Sequence, residues 1–129
     1  MIRKLAVSIV FIFIIIFATA CNKVVFDGSR TSNDKQFIME YSVLSETQSH
    51  EMKLEQGAII DVDIENKAGK LAILIADEDG NEIYRGDDAK TSAFSVKTPK
   101  ASNYKISVTG KKAKGKVSFK VNKAVDNSN

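Results

Sequence analysis

The sequence predicts an all-β chain: a single antiparallel β-sandwich of about eight short strands. Three observations predict it. Apolar and polar residues alternate with a period of two in window after window. Turn formers separate these windows at intervals of about eight to twelve residues. No window after the first twenty residues carries the 3.6-residue period of a long amphipathic helix. Residues 21–129 suffice for one two-layer core.

The central strand is Leu71-Ala72-Ile73-Leu74-Ile75-Ala76, apolar on both faces and therefore expected to be covered on both. Asp77-Glu78-Asp79-Gly80 follows it, and Asp-Gly is a strong hairpin signal because glycine takes positive φ freely. Upstream, Phe37, Met39, Tyr41 and Val43 alternate with Ile38, Glu40 and Ser42, and Met52 and Leu54 alternate with charged neighbours up to Gln56-Gly57. Ile60, Val62 and Ile64 interleave with Asp61, Asp63 and Glu65, and Asn66 to Lys70 reads as the turn into the central strand. Downstream come Ile83, then Phe94 and Val96 closed by Pro99, then Tyr104, Ile106 and Val108. Gly110 to Gly115 reads as a glycine-bounded basic loop before Val117, Phe119 and Val121. Residues 37–123 thus form the sandwich, and 124–129 a frayed tail. Residues 22–36, rich in Asp, Gly, Ser and Asn, read as a tether with a reach of roughly 50 Å. Within it only Val24-Val25-Phe26 suggests an edge strand.

The first twenty residues stand apart. Arg3 and Lys4 precede an apolar run from Leu5 to Phe17, and Ala18-Thr19-Ala20 leads to Cys21, the single cysteine of the chain. A positive start, a short apolar core and small residues make an export signal, too short to span a bilayer comfortably. Its end resembles the lipobox of bacterial lipoproteins, in which the cysteine is fatty-acylated and becomes the first mature residue. That family usually has Leu where Ala18 stands. Ala18-Thr19-Ala20 also fits the A-x-A pattern whose cleavage releases a soluble protein. An uncleaved anchor is a third reading. The lipobox reading is preferred because the lone cysteine falls at this junction. It implies a protein on the extracytoplasmic membrane face, with residues 1–20 as signal and Cys21 as lipid attachment site.

From Leu54 to Val108 the pattern resembles the pre-peptidase C-terminal domains, small jelly-roll modules of secreted bacterial peptidases. Leu54-x-x-Gly57, Val62-x-Ile64, Leu71-x-Ile73-x-Ile75-x-Asp77-x-x-Gly80 and Tyr104-x-Ile106-x-Val108 carry the likeness. Ser102-Asn103 stand where the family commonly has a glycine. The resemblance implies a β-sandwich and a non-catalytic accessory module, some relatives of which engage polymers or calcium.

The chemistry on offer is sparse. One cysteine excludes an intrachain disulfide framework and multi-cysteine metal sites. His50 is the only histidine, so a Ser-His-Asp or multi-histidine scheme lacks members, and a surface histidine is the simpler reading. Asp77, Asp79, Asp87 and Asp88, with Glu78 and Glu82, are the only candidates for a hard-cation site such as calcium. Their spacing departs from the EF-hand, with Ile75 at its first ligand position; a solvated hairpin tip is the simpler reading. No carboxylate pair has an apolar setting suited to glycosidase chemistry. There is no Trp, and Tyr84 is the one candidate sugar platform. No catalytic residue and no cofactor are implied.

Charge is more informative. The net charge of +3 is slight and gives no case for nucleic acid. Its distribution is uneven: 8 basic and 15 acidic residues from Cys21 to Val96, then 9 lysines and one acid from Lys97 onward. Lys111, Lys112, Lys114 and Lys116 are expected to form a solvated loop and a basic contact surface, unless Asp61, Asp63 and Glu65 face them. The expected partners are the membrane through a lipid on Cys21, an anionic envelope polymer or lipid surface, or a protein. The favoured reading is a surface lipoprotein with a binding module, and the second a small-ligand or cation carrier using the 77–88 loops.

Overall fold

The structure is a computed structural model and describes residues 24–123; the expected signal segment 1–20, Cys21 and the expected tail 124–129 lie outside the described residues. It is all-β. Seven strands follow one another: β1 (Phe26–Ser32), β2 (Gln36–Leu44), β3 (Thr47–Leu54), β4 (Ala58–Ala76), β5 (Glu82–Gly86), β6 (Ser92–Lys97) and β7 (Ser102–Lys123). Every pairing is antiparallel.

Two strands organise the rest. β4 and β7, 19 and 22 residues long, pair from Ala58↔Lys123 to Ala76↔Lys105, so one ribbon runs through both layers of the sandwich. The ribbon bends where its register shifts twice, between Asn66 and Lys70. Before the bend, β4 and the C-terminal part of β7 form one layer with β1, β2 and β6; beyond it, they form the other with β3 and β5.

This corrects two expectations. Asn66–Lys70 and Gly110–Gly115 are not separate turn and loop but the two sides of one corner, paired as Ala68↔Lys114 and Lys70↔Lys111. Their glycines serve close backbone approach rather than chain reversal. Gly69 has φ +73°, and a Cβ there would overlap the Lys112 carbonyl oxygen. The eight predicted segments are all present, but four of them are fused into two strands.

The tether is corrected as well. β1 runs along β2 from Phe26↔Leu44 to Ser32↔Phe37, where a flexible segment and at most a strand over Val24–Phe26 were expected. An edge strand needs only one partner's backbone, so its exposed DGSRTS sequence shows no buried alternation. Arg30 adds a side-chain clamp. Its guanidinium donates to Gln48 Oε1 and the Ser49 carbonyl, both at 2.6 Å, and lies 4.7 Å above the Phe37 ring. That closes the β1 and β3 edges together. On the opposite side Tyr84 and Phe94 meet at 4.8 Å between β5 and β6.

The core follows the predicted phase. Phe37, Met39, Ile60, Val62, Leu71, Ile73, Ile75, Tyr104, Ile106, Val108, Val117 and Phe119 are buried between the layers. Ile83, Phe94 and Val121 are only partly buried against them. Leu44, Ala58, Ala89 and Ala113, small or at element ends, complete the core without a periodic signal. β4 is central, as expected, but Ala72, Leu74 and Ala76 on its second face are half-buried rather than covered.

Candidate functional site

The molecule has two ends. The far end gathers the tight turns at Asn33–Lys35, Glu55–Gly57, Asp77–Asn81 and Thr98–Ala101. The other end is the ribbon corner, together with the β2–β3 connection and the β5–β6 loop.

Asp77 and Asp79 lie at the far end. Asp77 is buried, and its carboxylate accepts the Asp79 and Asn81 backbone N–H groups at 2.9 Å and Asn81 Nδ2 at 3.1 Å. Lys100 Nζ stands 3.4 Å from Asp77 and 2.9 Å from Asp79. Desolvation opposes the charge on Asp77, but the Asn81 amide and side chain, the Asp79 amide and Lys100 hold its pKa below the usual carboxylate range. Lys100 is raised in turn, chiefly by its hydrogen bond to Asp79. This carboxylate is the scaffold of its own hairpin.

Asp87 and Asp88 lie at the corner end, where the Ala89 N–H donates to the Leu71 carbonyl at 2.7 Å. Asp87 pairs with Arg85 at 3.1 Å and Asp88 with Lys90 at 3.1 Å. Arg85 also grips Glu82 at 2.7 Å, lowering the Glu82 pKa by its hydrogen bond and charge. The length of β5 keeps the two aspartate pairs apart, so the four do not converge. Among the described residues no group of three His, Cys, Asp or Glu side chains is arranged to hold a metal ion.

The other single residues have structural work. His50 Nε2 is 2.6 Å from the Asn33 carbonyl, which can only accept, so this nitrogen carries the proton; its ring packs 5.5 Å from Phe37. Tyr84 fills the gap against Phe94 instead of standing free as a sugar platform. Tyr41 is buried, its hydroxyl has no hydrogen-bond partner among the described residues, and burial pushes its pKa up to about 12.

The lysines divide. Lys116 is not in a loop but sits between Glu40 and Glu65 on the neighbouring strands. Lys120 likewise faces Asp61, whose carboxylate also accepts from Ser95 and Asn122. Lys111, Lys112 and Lys114 remain at the corner, exposed, and there they meet Lys67 and Lys70 of β4. Among the described residues none of these five forms an ion pair. Sequence reading missed Lys67 and Lys70 because they lie forty residues away in a segment of opposite charge; only β4–β7 pairing unites them. The corner also receives the start of the described chain. Ser45 N–H donates to the Val25 carbonyl at 2.7 Å, and the Ser45 hydroxyl accepts the Lys112 N–H at 2.9 Å. Val24 and Val25 beside it are 68% and 43% exposed.

No protein-family model and no curated protein matches the chain. Among solved structures, a cupin domain from Bordetella pertussis Tohama I aligns over 78% of this chain and 97% of its own, with 6% identity and a TM-score of 0.36. At that score the likeness carries no functional argument.

Proposed function

We propose that the chain is a non-catalytic lipoprotein of the extracytoplasmic membrane face, anchored through Cys21, whose β-sandwich acts as a binding or envelope-interaction module. The observation that carries this reading is the sequence of Arg3 and Lys4, an apolar run and small residues directly before the single cysteine. The engagement of Asp77, Asp79, Asp87, Asp88 and His50 within the fold supports a non-catalytic role, as does the resemblance to pre-peptidase C-terminal domains. The cation-carrier alternative draws no support from aspartates at opposite ends of the molecule.

Cell fractionation with metabolic fatty-acid labelling tests the reading. The wild-type protein is expected in the membrane fraction carrying label, and Cys21→Ser is expected unlabelled and either unprocessed or soluble. A wild-type protein that is soluble, with a Cys21 thiol open to alkylation, would overturn it.

A further inference from the structure

We propose that the basic corner formed by Lys67, Lys70, Lys111, Lys112 and Lys114 docks the domain onto anionic phospholipid head groups of the membrane that holds its anchor. The proposal rests on the lipoprotein reading and adds to it a defined face and a defined partner. Its first support is position. Cys21 precedes Val24 by three residues, at most about 11 Å of extended chain. Val25 is hydrogen-bonded to Ser45, and Ser45 to Lys112. An acyl group on Cys21 therefore brings this end to the head groups, where the tether expected from sequence would have let the domain stand well clear. The exposed Val24 and Val25 lie at the same place, suited to the interfacial zone.

Charge is the second support. Of the acids nearest the corner, Asp87 and Asp88 are ion-paired with Arg85 and Lys90, whereas Asp27, Glu40 and Glu65 line one cavity with Lys67 and Lys114. The Glu46 carboxylate accepts from Gln48 Nε2 at 2.5 Å, and Glu65 faces Lys116. Among the described residues none of the five lysines forms an ion pair, and Lys70, Lys111 and Lys112 lie outside that cavity of acids, so anionic lipid supplies the counter-charge they lack.

The third support is that the fold keeps two unfavourable features here. Lys70 and Lys111 sit directly opposite each other across the strand pair, an arrangement that destabilises a sheet. Lys112 is the one non-glycine residue with positive φ among those described, at +50°, where Gly or Asn sits more comfortably. Folding alone would select against both lysines. An external anion gives a reason for them.

The test uses the chain from Cys21 to Asn129 with its thiol unmodified, so that docking is read without the lipid. Among the described residues all the buried apolar ones lie between Phe37 and Phe119, so this chain retains that core. Co-sedimentation is measured with phosphatidylcholine vesicles, with and without phosphatidylglycerol, at low and moderate salt. Binding is expected only with phosphatidylglycerol and is expected to weaken as salt rises. Each lysine near the charged surface is worth about fivefold in partitioning. Lys112→Gly should therefore weaken binding about fivefold without lowering the melting temperature, whereas Lys116→Gln should leave binding nearly unchanged. No phosphatidylglycerol-dependent binding at low salt overturns the proposal. So does a Lys112→Gly chain that binds as wild type, or binding to an anionic wall polymer but not to vesicles. Fatty-acid labelling of Cys21 is scored independently, so failure of docking and failure of anchoring are separate results.

Discussion

The corner and the far end are both rich in glycine and charge, yet they are built on opposite terms. At the far-end hairpin the polar groups close on one another. Gly80, at φ +87°, turns the hairpin in open space, Asp77 accepts from the turn's own amides, and Lys100 answers the two aspartates. At the corner the glycines are jammed between backbones and the lysines answer nothing in the described chain. Charge that is satisfied locally holds a turn in shape. Charge that is left over is available to something outside.

The largest contrast should appear at the glycines. Gly69→Ala forces a Cβ into the Lys112 carbonyl at a positive-φ position and should cost about 3 kcal/mol or more of unfolding free energy. Gly80→Ala has nothing within 4 Å and should cost only the backbone term, about 1 kcal/mol. Urea unfolding measures both. Equal losses would mean that the corner is looser than its packing indicates.

The acids come next. Asp77→Ala should lower the melting temperature at neutral pH by several degrees, because two backbone amides and the Asn81 side chain lose their acceptor. The Asp77 pKa is depressed in the folded state, so its contribution is present above the unfolded value near 3.8 and lost as pH falls through the folded one. The deficit of the mutant should therefore shrink in acid. Asp87→Ala, which removes an exposed ion pair at the other end, should change the melting temperature by nothing measurable. A similar loss at both sites would erase the distinction between satisfied and spare charge.

The smallest effect has the opposite sign. Lys111→Gln removes a like-charge pair with Lys70 and should stabilise the fold by about 0.5 kcal/mol. Lys100→Gln removes the partner of Asp77 and Asp79 and should destabilise it.

Much of this architecture is legible in the sequence, and the exceptions share a cause. Alternation identifies most core strands because each buries one face, as in Ile60-x-Val62-x-Ile64 and Tyr104-x-Ile106-x-Val108, while Leu71–Ala76 is read from its unbroken apolar run. β1 is illegible because it buries neither face; its backbone pairing with β2 leaves no periodic trace. The corner is misread because Gly69 and Gly115 give the same signal whether a chain reverses or two strands cross closely. What separates the cases is pairing between segments forty residues apart. The same pairing decides the lysines, setting Lys116 between Glu40 and Glu65 and bringing Lys67 and Lys70 to the corner.

Orientation on a membrane bears most directly on the division between a basic corner and a self-satisfied far hairpin. The chain can be coupled through Cys21, its only thiol, to a maleimide lipid in phosphatidylglycerol-containing vesicles. A fluorescent amino acid is placed either at Ala68, on the corner, or at Glu78, on the far turn; ten residues of β4 and its turn separate them by at most about 33 Å. A head-group quencher should strongly quench the probe at Ala68 and barely touch the one at Glu78, with the difference fading as salt rises. Equal quenching at the two positions, or stronger quenching at Glu78, would contradict the assignment of the corner as the membrane-facing end.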